Sequence, residues 1–410
     1  MSLLAATYRA SSQHVDALQQ KWDKESSIHV NPLVSYKPTS LPDRIVLMPL
    51  DNNDRKMLIT WRTDTTVSEG VVEFMLANGL TFSNSKAIKT KSTTTLVQYK
   101  DYPMLYHKAV VEGLQPGMTY QYRVGSSPRW SNWTVYQEPA SRDTLNLLYF
   151  GDAQNGIYDH ASKLYNQAFK AYPNTDLVIH VGDLINHANN DYEWAEWHAA
   201  TAALNRTIPM IVTPGNHEYL KNLDGKKTQF SDYWVPGFPL PYAWEQGPYC
   251  MDYDFVRFIV LNSNTGLNTQ AEWLDSVLTA TRQEWAVIVS HHPIFSGAKD
   301  RQNKGLLENW LPVIEKHKNK IGLVLQGHDH TYARGGLEDR KSHDKEKPSY
   351  PVFTVAVAGD KYYPLFRQPW MDVSYDKTSS FQSISITRDK IRYKAYSETN
   401  KLMDYFEISK

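Results

Sequence analysis

The pattern of apolar and polar positions changes twice along the chain. From Pro42 the segments RIVLMPL, KMLITWRT, GVVEFML, HKAVVEGL and TYQYRVG run or alternate through β-branched and aromatic residues, with DNND, ANG, QPG and GSS turns between them. Several short strands without helical periodicity predict an all-β sandwich of about 100 residues, placed at 40–143. At Leu145 apolar runs begin to alternate with helical stretches: LNLLYFGDAQ, a helix over Ala161 to Tyr172, DLVIHVGDL, and a helix carrying Trp194 and Trp197. IPMIVTPGNHE, CMDYDFVRFIVLN, EWAVIVSHHP and IGLVLQGHDH follow, and the chain ends in strand texture at VFTVAVAGD, FQSISITRDKIRYKAY and LMDYFEIS. This order predicts an α/β-type domain over 144–410. Residues 1–39 are polar, with His14, Val15, Leu18 and Trp22 at helical spacing, and predict a short surface helix or leader.

Composition narrows the function. Lys+Arg and Asp+Glu each number 44 in 410 residues, which argues against a whole-chain grip on nucleic acid. Apolar residues at 41% and charged residues at 21% exclude wholesale disorder. With Cys250 as the single cysteine, there is no intrachain disulfide and no thiolate metal cluster; the residue reads as packing. No apolar run approaches the roughly 18 residues of a membrane span. The opening MSLLAATYRA has neither a basic leader nor a long apolar core, so it does not read as a signal peptide. Nothing in the sequence specifies an oligomeric state.

The chemistry lies in five polar clusters, each following an apolar strand: Gly151-Asp152-Ala153-Gln154, Gly182-Asp183-Leu184-Ile185-Asn186, Gly215-Asn216-His217-Glu218, Ser290-His291-His292-Pro293 and Gly327-His328-Asp329-His330. Strand ends are where α/β sheets assemble their sites. Together the clusters offer carboxylate, amide and imidazole donors without sulfur, a mixture that suits Fe, Zn or Mn. One ion needs about four donors, so this set predicts two metal ions bridged by a carboxylate, as in two-metal hydrolysis of phosphate esters. Any one cluster is an ordinary turn or a satisfied loop histidine; five in this order are not.

The series GD-x-x, GD-x-x-Asn, GNHE, H-x-P and GH-x-H resembles the calcineurin-like metallophosphoesterases. The segment GLQPGMTYQYRVG, with its Leu-x-Pro-x-x-x-Tyr-x-Tyr pattern, resembles a fibronectin type III-like module. The two together look most like the purple acid phosphatase branch. The resemblance implies a four-layer α/β (α+β) sandwich of two mixed sheets flanked by helices, preceded by the all-β module. It implies that Asp152 and His330 bind the first metal, Asp183 bridges, and Asn216, His291 and His328 bind the second. His217 matches the histidine that contacts phosphate and protonates the leaving oxygen. The implied activity is hydrolysis of small-molecule phosphomonoesters by attack of a metal-bound hydroxide. The alternatives are a phosphodiesterase of the same superfamily or a degenerate binding protein. An extracytoplasmic location, periplasmic or secreted, follows from the resemblance alone.

Two positions depart from that pattern. Where the purple branch has an iron-binding tyrosine, three residues after the bridging aspartate, this chain has Asn186. Where most of the superfamily has a histidine, two residues after the first aspartate, it has Gln154. Either amide is a candidate neutral ligand or neighbour of the metals, and fewer anionic ligands favour divalent ions. Candidate substrate contacts are His187, His292, Lys299 and Arg301, with Tyr332 and Arg334 weaker; for His187 the competing expectation is a solvated loop histidine. The segment FSDYWVPGFPLPYAWEQGPYC is expected to pack between sheet and loops. The Asn132-Trp133-Thr134 sequon means glycan only in a secretory setting.

Overall fold

Strand Asp43–Asp51 pairs antiparallel with Lys56–Thr63, and the four-stranded sheet continues through Tyr102–Val111 to Thr93–Tyr99. The facing sheet runs Ile88–Lys91, Val71–Leu76, Thr119–Ser126 and Arg129–Trp130, with Thr134–Gln137 also on Thr119–Ser126. These are features of a computed structural model that describes residues 31–51, 55–77, 87–100, 102–140, 143–222, 224–337, 342 and 344–410. Most of the expected N-terminal helix, residues 1–30, lies outside the described residues.

The first sheet explains why RIVLMPL is continuously apolar rather than alternating. Successive side chains point to opposite faces. Ile45, Leu47, Ile59 and Trp61 fill the space between the two sandwich sheets, while Val46, Met48 and Leu58 join the core of the following domain. Both faces are buried, so both must be apolar.

That domain is built on two mixed sheets. One has the order Met210–Val212, Leu177–His180, Leu145–Phe150, Ser380–Ile386, Lys390–Ser397, Leu402–Ser409. Its first three strands are parallel, and the three closing strands add to Leu145–Phe150 antiparallel. The other orders Tyr249–Tyr253, Val256–Val260, Trp285–Val289, Ile321–Gln326, Val352–Val355, Tyr332–Gly336 and Met371–Tyr375. One apolar core lies between the sheets. A second sits outside the seven-stranded sheet, under the helices Leu267–Ala280, Lys304–Asn309 and Leu311–Lys316. The expected two-sheet α/β architecture behind a β-sandwich is therefore what the chain adopts. The helix predicted from Ala161 starts earlier, with a π-helical turn Ile157–Ala161 leading into Ser162–Ala171. Among the described residues no helix is long and apolar enough to cross a membrane.

The sandwich is tied to the two-sheet domain through Asp191, the first residue of the helix Asp191–Asn205. Its carboxylate pairs with Arg44 at 2.7 Å and Arg62 at 3.3 Å, and accepts from the Tyr102 hydroxyl at 2.7 Å. Both arginines and Asp191 are buried. Asn190 caps the same helix by accepting from the Tyr192 amide.

Candidate metal centre

Each strand-end cluster sits on the loop after a buried strand, and the two sheets aim these loops at one another. Leu145–Phe150, Leu177–His180 and Met210–Val212 deliver Asp152, Asp183 and Asn216 from the six-stranded sheet. Trp285–Val289 and Ile321–Gln326 deliver His291, His328 and His330 from the seven-stranded sheet. A parallel bridge from Asp152 to Val357 closes the gap between the sheets. Close backbone approach explains two glycines. A Cβ on Gly215 would lie 2.2 Å from Asp183 Oδ1, and one on Gly327 would lie 2.2 Å from Asp152 Oδ1. Asp183, His328 and His330 hold left-handed backbone, with φ of 51°, 73° and 49°. Such conformations cost on the order of 1–3 kcal/mol each and concentrate at functional sites.

Two donor groups result. Asp152, Asp183 and His330 place one ligand atom each within 4.8 Å of one another, and so do His291, His292 and His328. Asp183 joins the groups, because its Oδ2 lies 3.2 Å from His291 Nε2. His291 Nε2 is also 3.3 Å from Asn216 Oδ1 and 3.1 Å from His328 Nδ1. His291 Nδ1 donates to the Val181 carbonyl at 2.9 Å, and His330 Nδ1 to the Lys361 carbonyl at 3.0 Å. Such outward bonds leave Nε2 of each ring as the inward lone pair, the arrangement of metal-ligating histidines.

The buried oxygens point the same way. Asp152 Oδ1 accepts the His328 amide at 2.7 Å, but its Oδ2 is buried without a hydrogen bond, 3.3 Å from His330 Nε2. Gln154 is 1% exposed. Its Nε2 lies 3.0 Å from Asp183 Oδ2 and 2.7 Å from His330 Nε2, while its Oε1 is buried without a partner. Amide oxygen and nitrogen are interchangeable by a flip, and the flipped amide would present an oxygen to the donor cluster. A cation satisfies these orphaned groups and converging lone pairs; the residues fit metal ions.

Electrostatics reflect the crowding. Burial opposes charge on Asp183, but His291 and His217 outweigh it and hold its carboxyl well below the usual carboxylate range. Asp152 moves the other way, raised by burial and by Asp183. Burial opposes the His291 cation too, yet Asp183 and Asp152 lift it to about 9. Burial, with Lys361 nearby, brings His330 down to about 3.

The remaining expected residues divide. His217 borders the cluster: its amide donates to Asp183 Oδ1 at 2.8 Å, and its Nε2 lies 4.0 Å from Asp183 Oδ2. The Asn186 side chain makes no described hydrogen bond to Asp152 or Asp183; its Nδ2 lies 3.4 Å from the His187 ring, and the Asn186 carbonyl takes His217 Nδ1. The solvated-loop expectation for His187 fails, since the ring is buried on Glu193, with Nδ1 to Oε1 at 2.6 Å. His292 packs against His328 with the ring planes tilted by 47° and centroids 4.1 Å apart, and its Nδ1 meets Ser263 Oγ at 2.8 Å. Arg301 contacts His328 Nε2, whereas Lys299 is exposed. Tyr332 and Arg334, the weaker substrate candidates, are both buried with their polar atoms on Asp404, at 2.8 and 2.6 Å. Trp234, Phe238 and Tyr249 are core residues, as the packing expectation for that segment required.

Four further residues at the site are given no role by sequence reading, and three of them lie outside any motif. Glu218 stands in the GNHE cluster, yet its work is to accept from the Asp183, Leu184 and Gly215 amides at 2.6–2.8 Å, fixing the Asp183 loop. Lys227, on the strand Lys227–Phe230, is brought down to about 8 by burial despite the attraction of Asp183. Lys361 and Tyr363 come from the segment after Val352–Val355 and flank His330.

Comparison with known proteins follows the same division of the chain. The calcineurin-like phosphoesterase family matches residues 145–332, and the purple acid phosphatase N-terminal domain matches 42–137. Acid phosphatase type 7 of Danio rerio is 26% identical over 314 residues, covering 68% of each chain. The Homo sapiens protein of that name is 24% identical, covering 82% of this chain and 83% of its own. Probable inactive purple acid phosphatase 27 of Arabidopsis thaliana is 26% identical over 72% of this chain, which spans only 56% of that relative's length. Among solved structures, purple acid phosphatase PPD1 from yellow lupin seeds superposes with TM-score 0.78 at 18% identity, covering 90% of this chain and 74% of its own. PhoD superposes with TM-score 0.62 at 14% identity, covering 90% and 92%. At these identities the likeness is one of fold.

Proposed function

Because the chain belongs to the calcineurin-like phosphoesterases, with a purple acid phosphatase N-terminal domain in front, we propose that it is a binuclear metal-dependent phosphohydrolase of small-molecule phosphomonoesters. The observation that carries this reading is the position of Asp183, whose carboxylate belongs to one donor group and lies 3.2 Å from the central imidazole of the other. Asp152, Asp183, His330 and Gln154 would hold one ion, and Asp183, Asn216, His291 and His328 the other. Bound metal supplies Lewis-acid activation of water and neutralisation of charge on the phosphoryl oxygens.

The chain's own groups do the rest. His217 has Nδ1–H committed to the Asn186 carbonyl, so only its imidazolium form, which burial opposes and Asp183 favours, has a second proton on Nε2 to give to the departing alkoxide. Glu218 and the left-handed Asp183 backbone hold the shared carboxylate in place. Asn186 where the phenolate would stand and Gln154 where the imidazole would stand support divalent ions (Fe, Zn or Mn) over a ferric site, because neither amide supplies the anionic oxygen that stabilises the trivalent ion.

The test is turnover of p-nitrophenyl phosphate against bis-p-nitrophenyl phosphate by protein loaded with Mn, Zn or Fe(II). Higher kcat/KM on the monoester supports the proposal. Preference for the diester moves the enzyme to the phosphodiesterase class, and no turnover with any metal leaves a binding protein.

A further inference from the structure

Outside the ligand histidines lies a second layer of charge that the reaction described above does not use. His328 turns Nδ1 toward His291, at 3.1 Å, and its outward Nε2 meets the Arg301 guanidinium. His330 turns Nε2 toward Asp152, at 3.3 Å, and its outward Nδ1 is taken by the Lys361 carbonyl. Arg301 and Lys361 thus adjoin the outer sides of two ligand histidines, and the Lys361 charge acts on His330 and His217. Tyr363 joins them: its ring packs edge-on to His330 at 4.8 Å, with Arg301 Cζ 4.5 Å and Lys361 Nζ 5.3 Å from its centroid.

Each cation gains from the ring face, but two like charges held at one ring repel each other. Only one of them is compensated. Arg301 Nε lies 3.3 Å from Asp329 Oδ1, and Asp329, fully buried, is fixed by Ser296 Oγ and the Gly297 amide, each at 2.7 Å. Lys361 has no carboxylate partner among the described residues. The pair therefore keeps a net positive charge, half-buried and braced. A dianionic group within reach of both cations offsets the repulsion and gains charge-assisted hydrogen bonds from each.

We propose that Arg301 and Lys361, set against Tyr363, form an anion subsite next to the metal centre that takes a second phosphate of the substrate. This rests on the phosphohydrolase reading and narrows its substrate class to compounds bearing two phosphoryl groups, one hydrolysed at the metals and the other held here.

Non-hydrolysable probes separate the two claims. Calorimetry on metal-loaded protein compares methylenebisphosphonate with methylphosphonate for the wild type, Lys361→Gln, Arg301→Gln and Lys361→Arg. We expect each glutamine variant to weaken bisphosphonate binding about ten-fold or more and to change methylphosphonate binding far less, with Lys361→Arg restoring affinity. Equal losses on both ligands would mean these residues grip the scissile phosphate, and no loss on the bisphosphonate would mean they grip neither; either result overturns the subsite. Absent turnover of p-nitrophenyl phosphate by the wild type counts against the phosphatase reading alone, since the affinity comparison needs no turnover.

Discussion

The Nδ1 hydrogen of His217 is donated to the backbone carbonyl of Asn186, 2.5 Å away. That bond settles the tautomer, because a carbonyl can only accept, and it puts Nε2 on the side of Asp183. It also gives Asn186 a role through its backbone, on a loop whose Asn186 and His187 amides are both held by Glu193 at 2.8 and 2.7 Å. His217→Ala is therefore expected to lower kcat by about 10²–10⁴-fold while elemental analysis still finds the wild-type metal content. An unchanged kcat removes His217 from the reaction.

Asp183 touches ligands of both donor groups, through Gln154 Nε2 at 3.0 Å and His291 Nε2 at 3.2 Å. Asp183→Asn removes the shared negative charge, so both ions are expected to be lost together, with stoichiometry falling well below that of the wild type. Selective loss of one ion would show that the carboxylate does not bridge.

Gln154 aims its amide at the first group with no anionic oxygen to offer. With Asn186 instead of a tyrosine three residues after Asp183, the metal-loaded protein should show no visible charge-transfer band. Gln154→Ala should weaken one ion's binding and spare the other in a competition titration with a chelator. Stoichiometric ferric iron with an intense visible band would contradict this.

Asp191 compensates two buried arginines from the neighbouring sandwich. Asp191→Ala leaves Arg44 without its 2.7 Å partner, and breaking a buried pair in this way typically costs about 3–5 kcal/mol. Urea unfolding should register that loss. Arg44→Met, which removes a charge instead of stranding one, should cost less. A loss below about 1 kcal/mol, of the size usual for exposed pairs, would show that the interface is wet.

His107 gives the fold an acid limit remote from the metals. It lies buried against Trp61, with ring centroids 5.2 Å apart, and Thr63 and Thr94 occupy its two nitrogens at 2.8 and 3.0 Å. Burial brings its imidazole down to about 4, while in the unfolded chain it titrates near the ordinary value of about 6.5. Between those values the unfolded chain binds the extra proton, so its contribution is complete above the upper value and is lost as pH falls toward the lower. The loss is roughly 3 kcal/mol at most. In His107→Gln the decline of unfolding free energy from neutral pH to pH 4.5 should be shallower; an identical decline would assign the acid sensitivity to other groups.

Much of this protein was written locally. The apolar runs and their Gly-Asp, Gly-Asn-His and Gly-His-Asp-His endings fixed strand positions and donor types, because strand burial and the turn that follows depend on neighbours in sequence. The sequence also exposed Gln154 and Asn186 as departures, since position within a motif is a one-dimensional fact. It could not tell which of those amides faces the donor cluster. That was decided by the Asn186 carbonyl serving His217 and its side chain turning to His187, whereas Gln154 reaches Asp183 and His330. Nor could it find Lys361 and Tyr363, which lie about 30 residues past His330 in a stretch without motif. They reach the site because Val352–Val355 runs parallel to Ile321–Gln326, so the two strands release their following loops at the same edge. Donor identity is a property of residues, but which donors share an ion or an anion depends on distances of a few ångströms between segments far apart in the chain, and only the packing of the two sheets sets those.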